Sequence, residues 1–148
     1  MPNAALAKPV RLVLDTNTIV SALLWKNAPS RLIDAALQGR IELFTSRPLL
    51  LELEDVLPRD KFARQRSASG LSTTELVARY ALLARTVLPA TISPVLSDPD
   101  DDQVLACALG AAADLIVSGD TQILNLKHYH GIRIIDVTQA LALVDVAP

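Results

Sequence analysis

Cysteine occurs once, at Cys107, and aromatics are scarce, with one Trp, two Tyr and two Phe in 148 residues. A lone thiol excludes an internal disulfide framework. With only His128 and His130 to join it, Cys107 completes no zinc-binding spacing. So few aromatics argue against an extended base-stacking platform, and Trp25 is expected in the core. Net positive charge is also missing, since 14 Lys+Arg stand against 16 Asp+Glu for a formal charge of −2 and the pI is near 5.6. That excludes a protein that coats nucleic acid by neutralising phosphates alone. There is no long hydrophobic run either. The most apolar stretch, Val104 to Ala113, stops at Asp114, well short of the roughly 20 residues a membrane span requires. Met1 to Pro9 carries Lys8 and no apolar segment, so it does not read as a signal peptide. It is expected to be a flexible tail on a cytoplasmic protein.

What is present is a 51% hydrophobic chain, too apolar for a disordered segment and of a length that suits one domain over residues 1–148. Apolar runs of strand length fall at Val10–Leu14, Ile41–Phe44, Ala90–Ser93, Leu115–Ser118 and Ile132–Ile135. Helical patterns separate them, which is the signature of βα units and a parallel sheet. A helix over Ser30–Gln38 ends at Gly39. Another is capped by Ser46, carries Pro48 in its first turn and runs to Leu57. Thr73 or Thr74 opens a helix to Val87, and Pro99–Ala113 forms a further one. Shorter helices fit Thr16–Trp25, Thr121–Leu126 and Thr138–Val144. The least core-like stretch is Pro58–Ser72, with Arg59, Lys61, Arg64 and Arg66 followed by Ser67, Ser69 and Gly70. It reads as a mobile, exposed, basic connection. His128 and His130 flank Tyr129 in a surface loop.

The acids are the informative residues. Asp15 directly follows the first apolar strand, and Asp120 follows the fourth after Gly119. In an open parallel sheet, ligands collect at the carboxyl ends of the strands, and two such ends converge if the strands are neighbours. Helix N-capping is the competing explanation for each. Asp98-Pro99-Asp100-Asp101-Asp102 puts four acids into five positions at a helix start. Asp98 as N-cap and Pro99 at the first position explain part of it. Dipole gains are only about 0.3–1 kcal/mol each, whereas unit charges about 6 Å apart repel by roughly 0.7 kcal/mol even in water. The cluster therefore exceeds the needs of a cap. On a helical projection Val104, Leu105, Ala108, Leu109 and Ala112 lie within roughly 80° of Asp101, with Asp100 and Asp102 about 100° to either side. Asp101 thus points inward. A carboxylate there is costly unless paired, protonated or bound to metal, and its local partners are more acids. All-oxygen ligation selects hard ions such as Mg²⁺ or Mn²⁺. A fourth acid belongs to the Ser46–Leu57 helix. Its apolar arc excludes Asp55 and leaves Glu52 and Glu54 as equal flanks.

These pieces resemble the PIN domain family of metal-dependent ribonucleases, in particular its bacterial toxin–antitoxin branch. The resemblance runs from Val10 to about Val144. It rests on Val13-Leu14-Asp15-Thr16-Asn17, on Ser46 with Leu50-Leu51-Glu52-Leu53-Glu54-Asp55-Val56-Leu57, on Asp98-Pro99-Asp100-Asp101-Asp102 with Ala106 and Ala108, and on Ala113-Asp114-Leu115-Ile116-Val117-Ser118-Gly119-Asp120 leading to Ile123-Leu124. It implies a catalytic and metal-binding quartet of Asp15, Glu52, Asp101 and Asp120, which breaks the tie in favour of Glu52. Asp98 matches an accessory acid. Asn17 and Ser118 match supporting polar positions, Ser118 standing where Thr is more usual, and Asp102 stands where Asn is frequent. It further implies a three-layer α/β/α sandwich with a parallel sheet of about five strands in the order 3-2-1-4-5. The implied activity is Mg²⁺- or Mn²⁺-dependent hydrolysis of RNA phosphodiesters by one or two ions. The implied partners are an RNA substrate, a cognate antitoxin protein and a second copy of the chain. Arg59, Lys61, Arg64 and Arg66 are the candidates for RNA backbone contacts, although a solvated basic face explains them equally well. Two other classes compete. A Mg²⁺-dependent phosphatase or phosphoacceptor would use Asp15 as nucleophile, but the general acid some of them place two residues on is here Asn17. A non-catalytic binding module would not need all four acids.

Overall fold

The computed structural model describes residues 8–146. One six-stranded sheet runs through it, with helices on both faces in a three-layer α/β/α arrangement. The strands are β1 (Val10–Leu14), β2 (Ile41–Thr45), β3 (Arg85–Thr86), β4 (Leu115–Val117), β5 (His128–Tyr129) and β6 (Ile132–Ile135), in the order β3-β2-β1-β4-β6-β5. The helices are α1 (Thr16–Leu24), α2 (Ala28–Leu37), α3 (Arg47–Val56), α4 (Ala63–Ser69), α5 (Thr73–Leu83), α6 (Pro99–Gly110), α7 (Thr121–Leu126) and α8 (Val137–Val146). A single 3-10 turn spans Asp60–Phe62. The five parallel strands follow the expected order, and β5 adds an antiparallel edge.

Strand alternation builds the two cores. Leu12, Leu14, Ile41, Leu43, Leu115, Val117 and Ile135 turn to the face covered by α1, α2, α3, α5 and α8. Val13, Phe44, Ile116, Ile132 and Ile134 turn to the face covered by α6 and α7. Successive residues of a strand point to opposite faces, so β1 feeds both layers from three consecutive buried residues.

Three expectations are corrected. The strand expected at Ala90–Ser93 does not form; the two-residue β3 pairs instead with the end of β2, Phe44 opposite Arg85 and Thr45 opposite Thr86. The chain after it lies across α6, where Ala90 N–H donates to the Ala106 carbonyl at 2.9 Å. Val87, Ile92 and Leu96 still bury against the second core. Their apolarity thus reports burial on a helix and not pairing in a sheet. The stretch Pro58–Ser72 is no loose connection. It holds the 3-10 turn and α4, closed by Gly70 in the left-handed conformation at φ +70°. His128 and Tyr129 form β5, and His130 and Gly131, at φ 49° and 80°, make the two-residue hairpin turn to β6. Both His residues remain exposed. Other bounds move by a few residues: α5 starts after its Ser72 cap and stops at Leu83, and α6 stops at Gly110.

Candidate active site

Strands β1 and β4 are parallel neighbours with Leu14 opposite Val117, so Asp15 and Ser118 emerge side by side. Asp15 continues the alternation of Val13, which aims its side chain to the α6 side. It is 5% exposed. Its Oδ1 accepts from Thr18 N–H at 2.9 Å as the N-cap of α1, and its Oδ2 accepts from the Ser118 hydroxyl at 2.5 Å. That hydroxyl in turn accepts from Asp120 N–H at 2.9 Å. One buried Ser118 oxygen therefore joins both strand ends. Asp120 caps α7, its Oδ1 accepting from Gln122 N–H at 2.8 Å. Capping and site-building turn out not to be alternatives here. The cap occupies one carboxylate oxygen and fixes the orientation of the other.

Asp98 is the N-cap of α6, accepting from Asp100 N–H at 2.9 Å. Asp101, one turn in, is half-buried. Its carboxyl is pushed up to about 6, first by burial and then by the charges of Asp120, Asp98, Asp15 and Glu52. Glu52 projects from α3, also half-buried. It too is raised, chiefly by burial, with the Thr16 hydroxyl working against the rise and Asp100, Asp98 and Asp15 adding to it. The Thr16 hydroxyl lies near Glu52 without reaching hydrogen-bond geometry, for its Oγ1 is buried and has no partner among the described residues. These contributions run between the acids themselves, so like charges raise Glu52 and Asp101. None of the five is ion-paired with Lys or Arg among the described residues. Glu54 and Asp55 are exposed, and Asp55 meets Arg59 instead at 3.6 Å.

Asp102 departs from its projection. The wheel set it on a flank, yet it is 9% exposed, more buried than Asp101. Its Oδ1 accepts from Leu96 N–H at 2.9 Å and its Oδ2 from Val95 N–H at 3.2 Å. It clasps the segment before α6 and so sets where Asp98 begins the helix. A single-helix projection cannot register a chain that folds back over that helix.

Asn17 is exposed and lines, with Asp120, Ser21 and Pro29, a cleft of about 560 Å³. Sequence reasoning did not single out Tyr80 or Thr45, whose buried hydroxyls also lack partners among the described residues. The Tyr80 phenol is held far above its usual range by burial, with Cys107 and Asp15 adding to the effect. Cys107 is fully buried, its thiol pushed up to about 11 by the same cause, which makes it inert. Of the basic residues, Arg66 turns inward, donating to the carbonyls of Leu57 at 2.5 Å and Arg59 at 2.8 Å. Lys61 lies over the Phe62 ring at 5.1 Å, and Arg64 is exposed. Trp25 is not in the core. It is 36% exposed and meets Phe62 edge-to-face at 6.1 Å.

The donors these acids offer are all hard oxygens, and the acids have no counter-charge, so they fit a divalent cation by chemistry. As the side chains stand, no group of three or more His, Cys, Asp or Glu among the described residues is arranged to hold one.

An α/β/α sandwich whose parallel strands end in carboxylates presents them where such folds bind their ligands. A family model for the PIN domain matches residues 11–122, and the chain belongs to that family. PIN domains are in general metal-dependent nucleases that act on RNA. Comparison with curated proteins gave no match. No helix among the described residues is long and apolar enough to cross a membrane.

Proposed function

We propose that this chain, acting as one domain over residues 1–148, is a Mg²⁺- or Mn²⁺-dependent endoribonuclease with Asp15, Glu52, Asp101 and Asp120 as its metal-binding and catalytic acids. The observation that supports the reading is a set of acids at neighbouring strand and helix ends with no Lys or Arg partner among the described residues, with Asp101 raised to about 6 first by burial and then by the other acids. One or two ions, when bound, supply a water of lowered pKa and positive charge for the phosphoryl oxygens. The residues divide the remaining work. Asp15 and Asp120 are held in place by backbone N–H groups and by Ser118, so they form the rigid half of the ligand set. Glu52 and Asp101 are half-buried and their side chains make no hydrogen bond or ion pair among the described residues, so their carboxylates are the ones able to shift and accept a proton from water. Asp98 stands at the margin as an accessory ligand, and Asn17 and Ser118 support the site. Lys61 and Arg64 are the exposed cations for RNA phosphates, Arg59 being shared with Asp55, while Arg66 orders α4, the helix that carries Arg64.

The phosphoacceptor alternative would want a Lys after the last strand. That position is Asp136, which caps α8 by accepting from Gln139 N–H at 2.8 Å.

Asp15→Asn and Asp101→Asn are expected to abolish Mg²⁺-dependent cleavage of single-stranded RNA while leaving the circular dichroism spectrum unchanged. Cleavage by either variant at the parent rate would remove the assignment. We further infer a cytoplasmic toxin restrained by a cognate antitoxin and able to dimerise. A gene for a small DNA-binding protein beside this one, and growth arrest on expression relieved by it, would test that reading.

A further inference from the structure

The cleft that Asp120 lines is flanked by a second one. Ser21 and Pro29 line the first, and their chain neighbours Ala22 and Ser30 line the second, a cleft of about 790 Å³ between the end of α1, α2 and α4. Both clefts thus border the α1–α2 corner. Trp25 lies in the second cleft, its ring braced by Phe62 and 36% exposed. Lys26 lines the same cleft, and Lys61 and Arg64 project from the 3-10 turn and α4 beside it. All three are exposed and have no carboxylate partner among the described residues. Gln65 and Asp34 also line it, and neither side chain makes a hydrogen bond among the described residues. In a net acidic protein this is a local cationic rim around a fixed aromatic ring, with one amide and one carboxylate unused.

We propose that this second cleft is a nucleobase subsite for the single-stranded RNA that the acid site cuts, resting on the nuclease reading above. The base stacks on Trp25, as bases do on aromatic side chains in sequence-tolerant sites. Lys26, Lys61 and Arg64 meet the flanking phosphates. Gln65 offers a donor and an acceptor to the base edge, and Asp34 accepts from an exocyclic amino group in the way acidic side chains read cytosine. Asp34 would repel a phosphate, so it faces the base and not the backbone. Trp25 sits ten positions along from Asp15, about 15 Å at helical rise, so the base read there lies a few nucleotides from the scissile bond. A duplex, whose bases are already stacked on one another, cannot use it.

Trp25 is the only tryptophan, so its fluorescence reports this cleft alone. Nucleoside 5′-monophosphates contain no phosphodiester to hydrolyse and can be titrated into the full chain with Mg²⁺ present. AMP and CMP are expected to quench Trp25 saturably, UMP more weakly for want of an amino group, and inorganic phosphate not at all. On a single-stranded RNA substrate, Trp25→Ala is expected to raise KM about tenfold or more with kcat unchanged, Trp25→Phe to recover much of the loss, and a matching DNA strand to quench without preference for the sugar. Should Trp25→Ala not fold, Gln65→Ala and Asp34→Ala test the same cleft at side chains that make no hydrogen bond among the described residues, the first through a smaller rise in KM and the second through a lost preference for AMP and CMP over UMP. Quenching by no nucleotide together with unchanged KM would overturn the subsite while leaving the nuclease intact. A Trp25 response only to a Glu- and Leu-rich amphipathic peptide would also overturn it, assigning the cleft to a protein. Quenching without any RNA cleavage by the parent would sink the nuclease reading and keep the base site.

Discussion

A single hydroxyl couples the two strand ends, and replacing it shows how much the arrangement depends on that bond. Ser118→Ala leaves Asp15 Oδ2 buried without its donor and Asp120 N–H without its acceptor. Loss of a buried partner of a charged group costs about 1–3 kcal/mol, so the unfolding free energy read from urea titration is expected to fall by that amount, with the midpoint at lower urea. Asp101 is expected to behave in the opposite way. Its folded-state carboxyl, at about 6, lies above the ordinary value of 3.8. The folded protein therefore binds more protons than the unfolded chain between about pH 4 and 6. Stability falls as pH rises through that window and stays lower above it. In metal-free protein Asp101→Asn is expected to stabilise at pH 7.5 by about 1 kcal/mol, discounted for the solvent screening of a half-exposed side chain, and to have no effect at pH 4. Thermal melts with EDTA at the two pH values measure the difference.

Among the elements, α6 and the segment that crosses it are fitted backbone to backbone. A Cβ on Gly110 would collide with the Leu88 carbonyl oxygen and press on Ala90 N at 3.1 Å. Gly110 is therefore needed for close approach and not for an unusual φ. Gly110→Ala is expected to cost about 1–3 kcal/mol as an overpacking change, visible as faster hydrogen exchange at Ala90 N–H. The fit also explains which elements can be read from sequence. β1, β2, β4, α7 and β6 are legible because their apolar runs and caps are local signals, and Ser46 caps α3 through Leu49 N–H as its spacing predicts. β3 is not legible. Arg85 and Thr86 are both exposed, and nothing in their chemistry distinguishes an edge strand of two residues from a loop. α4 is hidden by its own composition, since Ser67, Ser69 and Gly70 are turn residues. Its order comes from Arg66 reaching back to Leu57 and Arg59 and from Phe62 packing on Trp25, both contacts outside the helix itself.

At the scale of the whole molecule, the candidate site is a meeting of parts distant in sequence. Asp15, Asp98, Asp101 and Asp120 were legible because strand ends and helix starts carry local signals for acids. Glu52 was not separable from Glu54 by periodicity alone, and burial of one against exposure of the other arises only when α3 docks. Asp102, Thr16 and Trp25 were illegible for the same reason, as each is placed by a neighbour remote in the chain. If the acids share a divalent ion, ligand linkage stabilises the folded state by about 2.7 kcal/mol at a hundred times the dissociation constant. Mg²⁺ is then expected to raise the melting temperature of the parent by about 5–10 °C, and of Asp15→Asn by far less. An equal rise in both would place the ion elsewhere.

The two ends of the sheet bear on how such a molecule can associate. An unpaired strand edge is a template for another chain. Here one end of the sheet is the two-residue β3 and the other is β5, equally short, folded back antiparallel by a tight turn. Neither offers a run of backbone groups long enough to extend the sheet into a second molecule. Growth by strand addition is thereby closed off among the described residues, which leaves helical faces and loops as the surfaces on which a second copy of the chain would dock.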